Sequence, residues 1–136
     1  MIHITALDHL VLRVQDLETM LNFYRDILGC PLERAKEDLG LYQLRAGNSL
    51  IDLVTVDGKI GKAGGAAPGR EGRNLDHLCL RLDPFDGEAI RQYLSSKGLE
   101  AGPVERRYGA EGTGPSIYVL DPEGNTVELK GPPDDA

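Results

Sequence analysis

Two short segments of the chain alternate between apolar and polar residues as β-strands do, and they are near copies of each other. Residues 7–14 read LDHLVLRV and residues 75–82 read LDHLCLRL, with six of eight positions identical. The alternation puts the leucines that follow each histidine on one face of the strand, and His9 or His77 on the other. One structural unit is therefore used twice, and paired copies of it can bring the two imidazoles together.

A helical spacing of apolar residues follows each of these strands. Over residues 17–28 the apolar side chains recur at helical intervals, with Asp16 placed to cap the start and Gly29 suited to end the helix. The second copy repeats this order, with a helix predicted over 86–97 and Gly98 as its stop. Each copy thus predicts a strand followed by an amphipathic helix.

Apolar stretches after each helix predict pairs of antiparallel strands. In the first copy, residues 41–44 and 50–56 flank a Gly-Asn turn. In the second copy, residues 116–120 and 126–130 flank the sequence DPEGN, whose proline and glycine suit a tight reversal. The predicted fold class is therefore α+β, built from a βαβββ-like module used twice.

The repeat also predicts how the chain is organised. We expect one domain over residues 1–136, composed of module one (5–57), a linker (58–74), module two (75–131) and a frayed tail (132–136). Six glycines predict that the linker is flexible, and no phosphate-loop pattern occurs in it. A second glycine-rich run, 108–115, is predicted to be a loop that either closes over a ligand or simply connects elements at the surface.

Composition and charge narrow the classes of partner. The chain has 136 residues, 40% of them hydrophobic, which is enough for a real core. Its net charge of −7 argues against nucleic acid and anionic membranes, both of which reward clustered Lys and Arg, so a small-molecule substrate is the better expectation. Cys30 and Cys79 lack metal-binding or disulfide spacing, and the first residues lack the features of a signal peptide. We therefore expect a cytoplasmic protein with reduced thiols.

Two carboxylates extend the histidine pair to a candidate metal site. Asp52 and Glu128 are each flanked by apolar residues within a predicted strand, so each carboxylate lies on the face opposite the core. If both strands line the same cavity as His9 and His77, the set offers two nitrogens and two oxygens. Such a set suits Zn²⁺, Ni²⁺, Mn²⁺, Co²⁺ or Fe²⁺, with open positions for a substrate.

The chain resembles the vicinal oxygen chelate superfamily, which includes glyoxalase I, fosfomycin-resistance thiol transferases, extradiol dioxygenases and bleomycin-binding proteins. The resemblance covers roughly residues 5–131. It is carried by the repeated strand, by LNFYRDILG at 21–29 and by DPEGNTVEL at 121–129. It implies that the paired βαβββ modules curl into an open, cup-shaped mixed sheet with the helices outside, around a divalent metal, and that two chains form a homodimer.

The resemblance also implies roles for individual residues. His9, His77 and Glu128 match the superfamily's common metal ligands. Asp52 matches the fourth ligand of glyoxalase I, but its side chain is one methylene shorter, so it binds the metal directly, through water, or not at all. The candidate base that moves a proton from carbon is Glu128, or Asp52 if it is released from the metal. Two further residues are implied to bind substrate: Arg13, which matches an arginine of glyoxalase I, and Tyr118, which matches a tyrosine of the fosfomycin-resistance proteins. Arg81, which repeats Arg13 in the second module, is a third candidate for substrate binding.

Three functions are compatible with this set of residues. The first is a metal-dependent lyase or isomerase of the glyoxalase type, in which the metal chelates two vicinal oxygens of the substrate and a carboxylate moves a proton. The second is an extradiol-type dioxygenase, because two histidines and one carboxylate are the ligands of non-haem iron. The third is a metal-free protein that binds and sequesters a drug.

Overall fold

The computed structural model describes residues 1–134. The chain divides into two compact units, Met1–Asn74 and the part that begins at Leu75. Each unit has its own sheet and its own buried residues. Of the tail expected over 132–136, residues 135–136 lie outside the described residues. Residue Asp134 is not frayed, since its amide donates to the carbonyl of Thr113 over 2.9 Å.

The first unit is a βαβββ arrangement with a four-stranded mixed sheet. The elements are β1 (His9–Val14), α1 (Leu17–Leu21), a π-helical segment (Asn22–Ile27), β2 (Leu32–Lys36), β3 (Leu41–Ala46) and β4 (Ser49–Thr55). Strands β1 and β4 are parallel, β3 is antiparallel to β4, and β2 is antiparallel to β3, which gives the order β1-β4-β3-β2.

The helix predicted over 17–28 forms, but its second half is wider than an α-helix. Asp16 caps it as expected, because its carboxylate accepts from the amide of Thr19, and Gly29 follows its end with a φ of +79°. From Asn22 onward the segment is π-helical. Phe23 and Tyr24 are adjacent in sequence and both fully buried, and the wider turn lets both side chains face the core.

The second unit repeats the topology of the first. The elements are β5 (His77–Arg81), α2 (Gly87–Ser96), β6 (Glu105–Gly109), β7 (Gly112–Leu120) and β8 (Thr126–Lys130). The strand order is β5-β8-β7-β6, with β5 and β8 parallel and the other neighbours antiparallel. The Asp86 carboxylate caps α2 by accepting from the amide of Ala89. The predicted α+β class with two βαβββ modules is confirmed.

Two strands were not located from the sequence pattern. Every residue of β2 except Lys36 is exposed, and β6 is largely exposed too, so neither has the apolar alternation that marks a half-buried strand. The glycine-rich run 108–115, predicted to be a loop, is instead part of the β6–β7 hairpin. Backbone pairing holds these edge strands in place.

The apolar faces of the strands form the core of each unit. The central buried residues of the first unit are Leu12, Val14, Met20, Phe23, Tyr24, Leu44, Ile51 and Leu53, and those of the second are Leu78, Leu94, Ile117, Val119, Val127 and Leu129. The other face of each sheet carries the candidate site residues. No helix within residues 1–134 is long and apolar enough to cross a membrane.

Candidate metal site

In the first unit, His9 lies between two carboxylates. Its Nδ1 is 2.7 Å from an oxygen of Asp8, and its Nε2 is 4.0 Å from Oδ2 of Asp52. Because a carboxylate only accepts, Nδ1 is the nitrogen that donates, which leaves the lone pair of Nε2 on the side of Asp52 when the ring is neutral. This is the tautomer that binds a metal through Nε2.

The Asp52 carboxylate is buried and only half satisfied. Its residue is 3% exposed, and Gln43 Nε2 donates to Oδ2 over 3.1 Å. The other oxygen, Oδ1, is buried and has no hydrogen-bond partner among the described residues. A buried carboxylate oxygen without a donor is unfavourable unless a cation or a water satisfies it. Asp52 thus fits a metal ligand.

In the second unit, His77 has the same arrangement. Its Nδ1 is 2.7 Å from an oxygen of Asp76, and its Nε2 is 3.3 Å from Oε1 of Glu128, which is 5% exposed. The ring of Tyr118 meets the imidazole edge-on, with 5.7 Å between centroids. His77 therefore also directs Nε2 toward a buried carboxylate.

The register of the sheets explains why the two pairs are alike. Val11 of β1 pairs with Asp52 of β4, and the corresponding Cys79 of β5 pairs with Glu128 of β8. On the far side, Asp52 pairs with Gln43 just as Glu128 pairs with Tyr118. Asp52 is thus the counterpart of Glu128 within the repeat.

Burial and nearby charges shift the pKa values of His9 and Cys79. The hydrogen bond that Nδ1 donates to Asp8, and then the charge of Asp52, raise the pKa of His9, so a proton competes for Nε2 up to a higher pH than in an ordinary histidine. Desolvation, followed by the charge and hydrogen bond of Glu128, raises the pKa of Cys79 to about 11. Cys79 is therefore a neutral thiol at pH 7 rather than a thiolate ligand.

The two histidine–carboxylate pairs have the chemistry to bind a divalent metal, because each offers one nitrogen and one oxygen ligand. Imidazole nitrogen with carboxylate oxygen is the ligand chemistry of Zn²⁺, Ni²⁺, Mn²⁺, Co²⁺ and Fe²⁺. Within residues 1–134 no group of three or more His, Cys, Asp or Glu side chains is close enough to hold a metal ion. Each unit therefore has one such pair.

The three predicted substrate-binding residues have different surroundings. The guanidinium of Arg13 donates to the linker carbonyls of Gly61, Gly65 and Ala66 over 2.7–2.9 Å. Arg81 pairs with Glu111 over 2.7 Å. Tyr118 lies beside His77, with the guanidinium carbon of Arg107 4.1 Å from its ring centroid.

Sequence reasoning missed several residues that shape the two pairs. Asp8 and Asp76 belong to the repeated octapeptide, so the repeat itself carried the signal for them. The roles of Gln43 and Arg107 follow from strand register, which apolar patterning left open. These missed residues hold the ligands and their neighbours in place.

Comparison with known proteins identifies the family of this chain. The family model for the Glyoxalase/Bleomycin resistance protein/Dioxygenase superfamily matches residues 6–129. The chain belongs to this superfamily. The resemblance recognised in the sequence motifs is thereby confirmed.

Individual relatives within the superfamily span nearly the whole chain. Virulence protein STM3117 of Salmonella typhimurium is 32% identical over 127 residues, which cover 93% of this chain and 83% of the relative. Its crystal structure superposes with a TM-score of 0.80 at 25% identity, covering 96% of this chain and 99% of that one. The lactoylglutathione lyase of Haemophilus influenzae is 28% identical, over 89% of this chain and 88% of the enzyme.

Proposed function

We propose that this protein is a divalent-metal-dependent lyase or isomerase of the glyoxalase type, with His9, Asp52, His77 and Glu128 as metal ligands. The main support is the repeated geometry in which each histidine turns Nε2 toward a buried carboxylate while a preceding aspartate holds Nδ1. The similarity to a lactoylglutathione lyase supports the reaction class.

The substrate of this reaction is a small molecule with two neighbouring oxygens. When bound, the metal supplies Lewis-acid stabilisation of the negative charge that develops on those oxygens. A carboxylate oxygen of Glu128 takes the proton from the hydroxyl-bearing carbon next to the carbonyl and returns it to the former carbonyl carbon. The hydroxyl proton passes from the first oxygen to the second, so hydroxyl and carbonyl exchange places without net gain or loss of protons.

The surroundings of Glu128 suit this role. It is 5% exposed, so little water competes for the proton it carries, and Tyr118 lies directly opposite it in the sheet. We assign substrate orientation to Tyr118. Arg81 and Arg13 are weaker candidates, because Glu111 and the linker carbonyls already accept from their guanidinium groups.

Metal analysis of protein purified without an affinity tag tests the proposal. We expect about one divalent metal per chain, and we expect His9→Ala combined with His77→Ala to abolish it because both nitrogen donors disappear. The matched control is His3→Ala, which removes the histidine outside the repeat and should keep the metal. Unchanged stoichiometry in a folded double variant, checked by circular dichroism, would refute the site.

A further inference from the structure

A buried lysine lies on the same face of β8 as Glu128. Lys130 is 7% exposed, and its Nζ has no hydrogen-bond partner within the described part of the chain. Strand alternation puts it on the face of Glu128, and the register pairs it with Arg81 on one side and Ser116 on the other. A buried ammonium without a partner is strongly unfavourable, so the sheet presents a positive charge that its own residues leave unmatched.

The charged neighbours of Lys130 already have partners of opposite sign. Arg81 pairs with Glu111 over 2.7 Å, Arg107 with Glu105 over 3.0 Å, and His77 with Glu128 over 3.3 Å. Glu128 is committed to the histidine and, in the proposed site, to the metal. Within residues 1–134, Lys130 is therefore the cation on this face whose charge has no negative partner.

Gly109 provides the space that Lys130 occupies. The lysine side chain reaches across β7 toward β6, and a Cβ added at Gly109 would lie 2.6 Å from its Cε. Gly109 does not have a positive φ, so alanine is conformationally acceptable there and would act only by displacing the end of the lysine. The position of the ammonium can thus be changed without changing its charge.

We infer that Lys130 binds a carboxylate group of the substrate, separate from the two oxygens that meet the metal. This inference rests on the proposed function, in which the two charges of the metal are balanced by Asp52 and Glu128. Lys130 then adds one net positive charge, which one carboxylate matches. The substrate class becomes small acids that also carry vicinal oxygens.

Matched probes test this inference on nickel-loaded protein. 3,4-Dihydroxybenzoate and 3,4-dihydroxybenzamide offer the same vicinal oxygens but differ in one negative charge. We expect the wild-type protein to bind the acid about tenfold or more tightly than the amide, as for a charge-assisted contact in a buried site. Lys130→Met, which keeps the length of the side chain, should reduce this ratio to near one while its nickel affinity is unchanged. Gly109→Ala should reduce the ratio partially.

Controls separate this inference from the proposed function. Lys97→Met removes a lysine from the end of α2, off the polar face, and should keep the wild-type ratio. Nickel titration of the wild-type protein tests the metal site independently. Without any ligand, Lys130→Met should raise the melting temperature, because it removes an unpartnered charge. A preserved acid-to-amide ratio in Lys130→Met, no preference in nickel-bound wild-type protein, or a lowered melting temperature would overturn the role of Lys130.

Discussion

Asp8 and Asp76 determine which nitrogen each histidine offers. Both accept from Nδ1 at 2.7 Å, so the neutral ring keeps its lone pair on Nε2, facing the carboxylate of its own unit. The two pairs nevertheless differ in length, since Nε2 is 4.0 Å from Asp52 and 3.3 Å from Glu128. The shorter side chain of Asp52 accounts for this difference, and it gives the two carboxylates unequal parts in the proposed site.

We predict that Glu128→Gln is more damaging than Asp52→Asn. Both changes keep the shape of the side chain, but Glu128→Gln removes an anionic ligand and the proposed base, so metal affinity should fall by at least about tenfold and turnover further. Asp52→Asn also removes a negative charge, but Asp52 lies farther from its histidine, at 4.0 Å against 3.3 Å, and is not the proposed base, so its loss should cost less. The measurements are nickel titration and turnover of a dicarbonyl–thiol adduct.

Both variants should stay folded, because the apolar neighbours of each carboxylate still pack in the core. These neighbours are Ile51, Leu53, Val127 and Leu129. If Asp52→Asn loses the metal while Glu128→Gln keeps both metal and rate, the roles of the two residues are the reverse of those assigned.

The sequence pattern identified the histidines and carboxylates, but it missed the residues whose roles depend on strand register or burial. Each carboxylate stands between apolar neighbours, and each histidine occupies the same position of the repeat, which marks these residues in the sequence. Gln43 is an ordinary polar residue until the β3–β4 register puts it opposite Asp52. Lys130 ends a strand, where a lysine is usually exposed, and only the structure places it in the interior.

At the scale of elements, the first and last strands of each unit run parallel side by side, and this brings each histidine next to its carboxylate. β1 lies beside β4, and β5 lies beside β8, so residues distant in sequence come together at equivalent heights. The apolar alternation of these central strands made them predictable. β2 and β6 are edge strands with exposed side chains, and backbone hydrogen bonds hold them in place, so apolar periodicity carries no signal for them.

The linker was predicted to be flexible, but an arginine of β1 organises part of it. Arg13 donates to three linker carbonyls, and Asn74 bonds both the amide and the carbonyl of Arg13. Gly64 permits this approach, since a Cβ there would lie 2.5 Å from the guanidinium. The glycines of the linker therefore serve close packing as well as turning.

We predict that Arg13→Lys loosens this linker. Lysine cannot reproduce the fork of guanidinium donors, so the variant should lose about 1–2 kcal/mol of stability and should be cut several-fold faster by trypsin at Lys62, Arg70 and Arg73. The measurements are chemical denaturation and mass-spectrometric mapping of the cleavage sites. The repeat supplies a matched control in Arg81→Lys, whose arginine pairs with Glu111. Equal cleavage rates in both variants would contradict the role of Arg13.

At the scale of the whole molecule, the first residues of the chain present apolar side chains that its own units leave uncovered. Ile2, Ile4 and Leu7 are 87–89% exposed in the segment before β1. Exposed apolar clusters of this kind are typical of protein–protein contacts. They support the expectation, drawn from the resemblance to the superfamily, that two chains associate through a symmetric interface.

We predict a homodimer that depends on this N-terminal segment. Light scattering at micromolar concentrations should give twice the 14.8 kDa mass of one chain. Ile2→Asp combined with Ile4→Asp should yield monomers, because burying two carboxylates in an apolar contact is strongly unfavourable. His3→Asp combined with Thr5→Asp adds the same number of acids while keeping both isoleucines, so it should remain a dimer at the same concentration. A wild-type protein that stays monomeric throughout this range would contradict the expected homodimer, and a dimer unaffected by the isoleucine changes would contradict the role of the N-terminal segment.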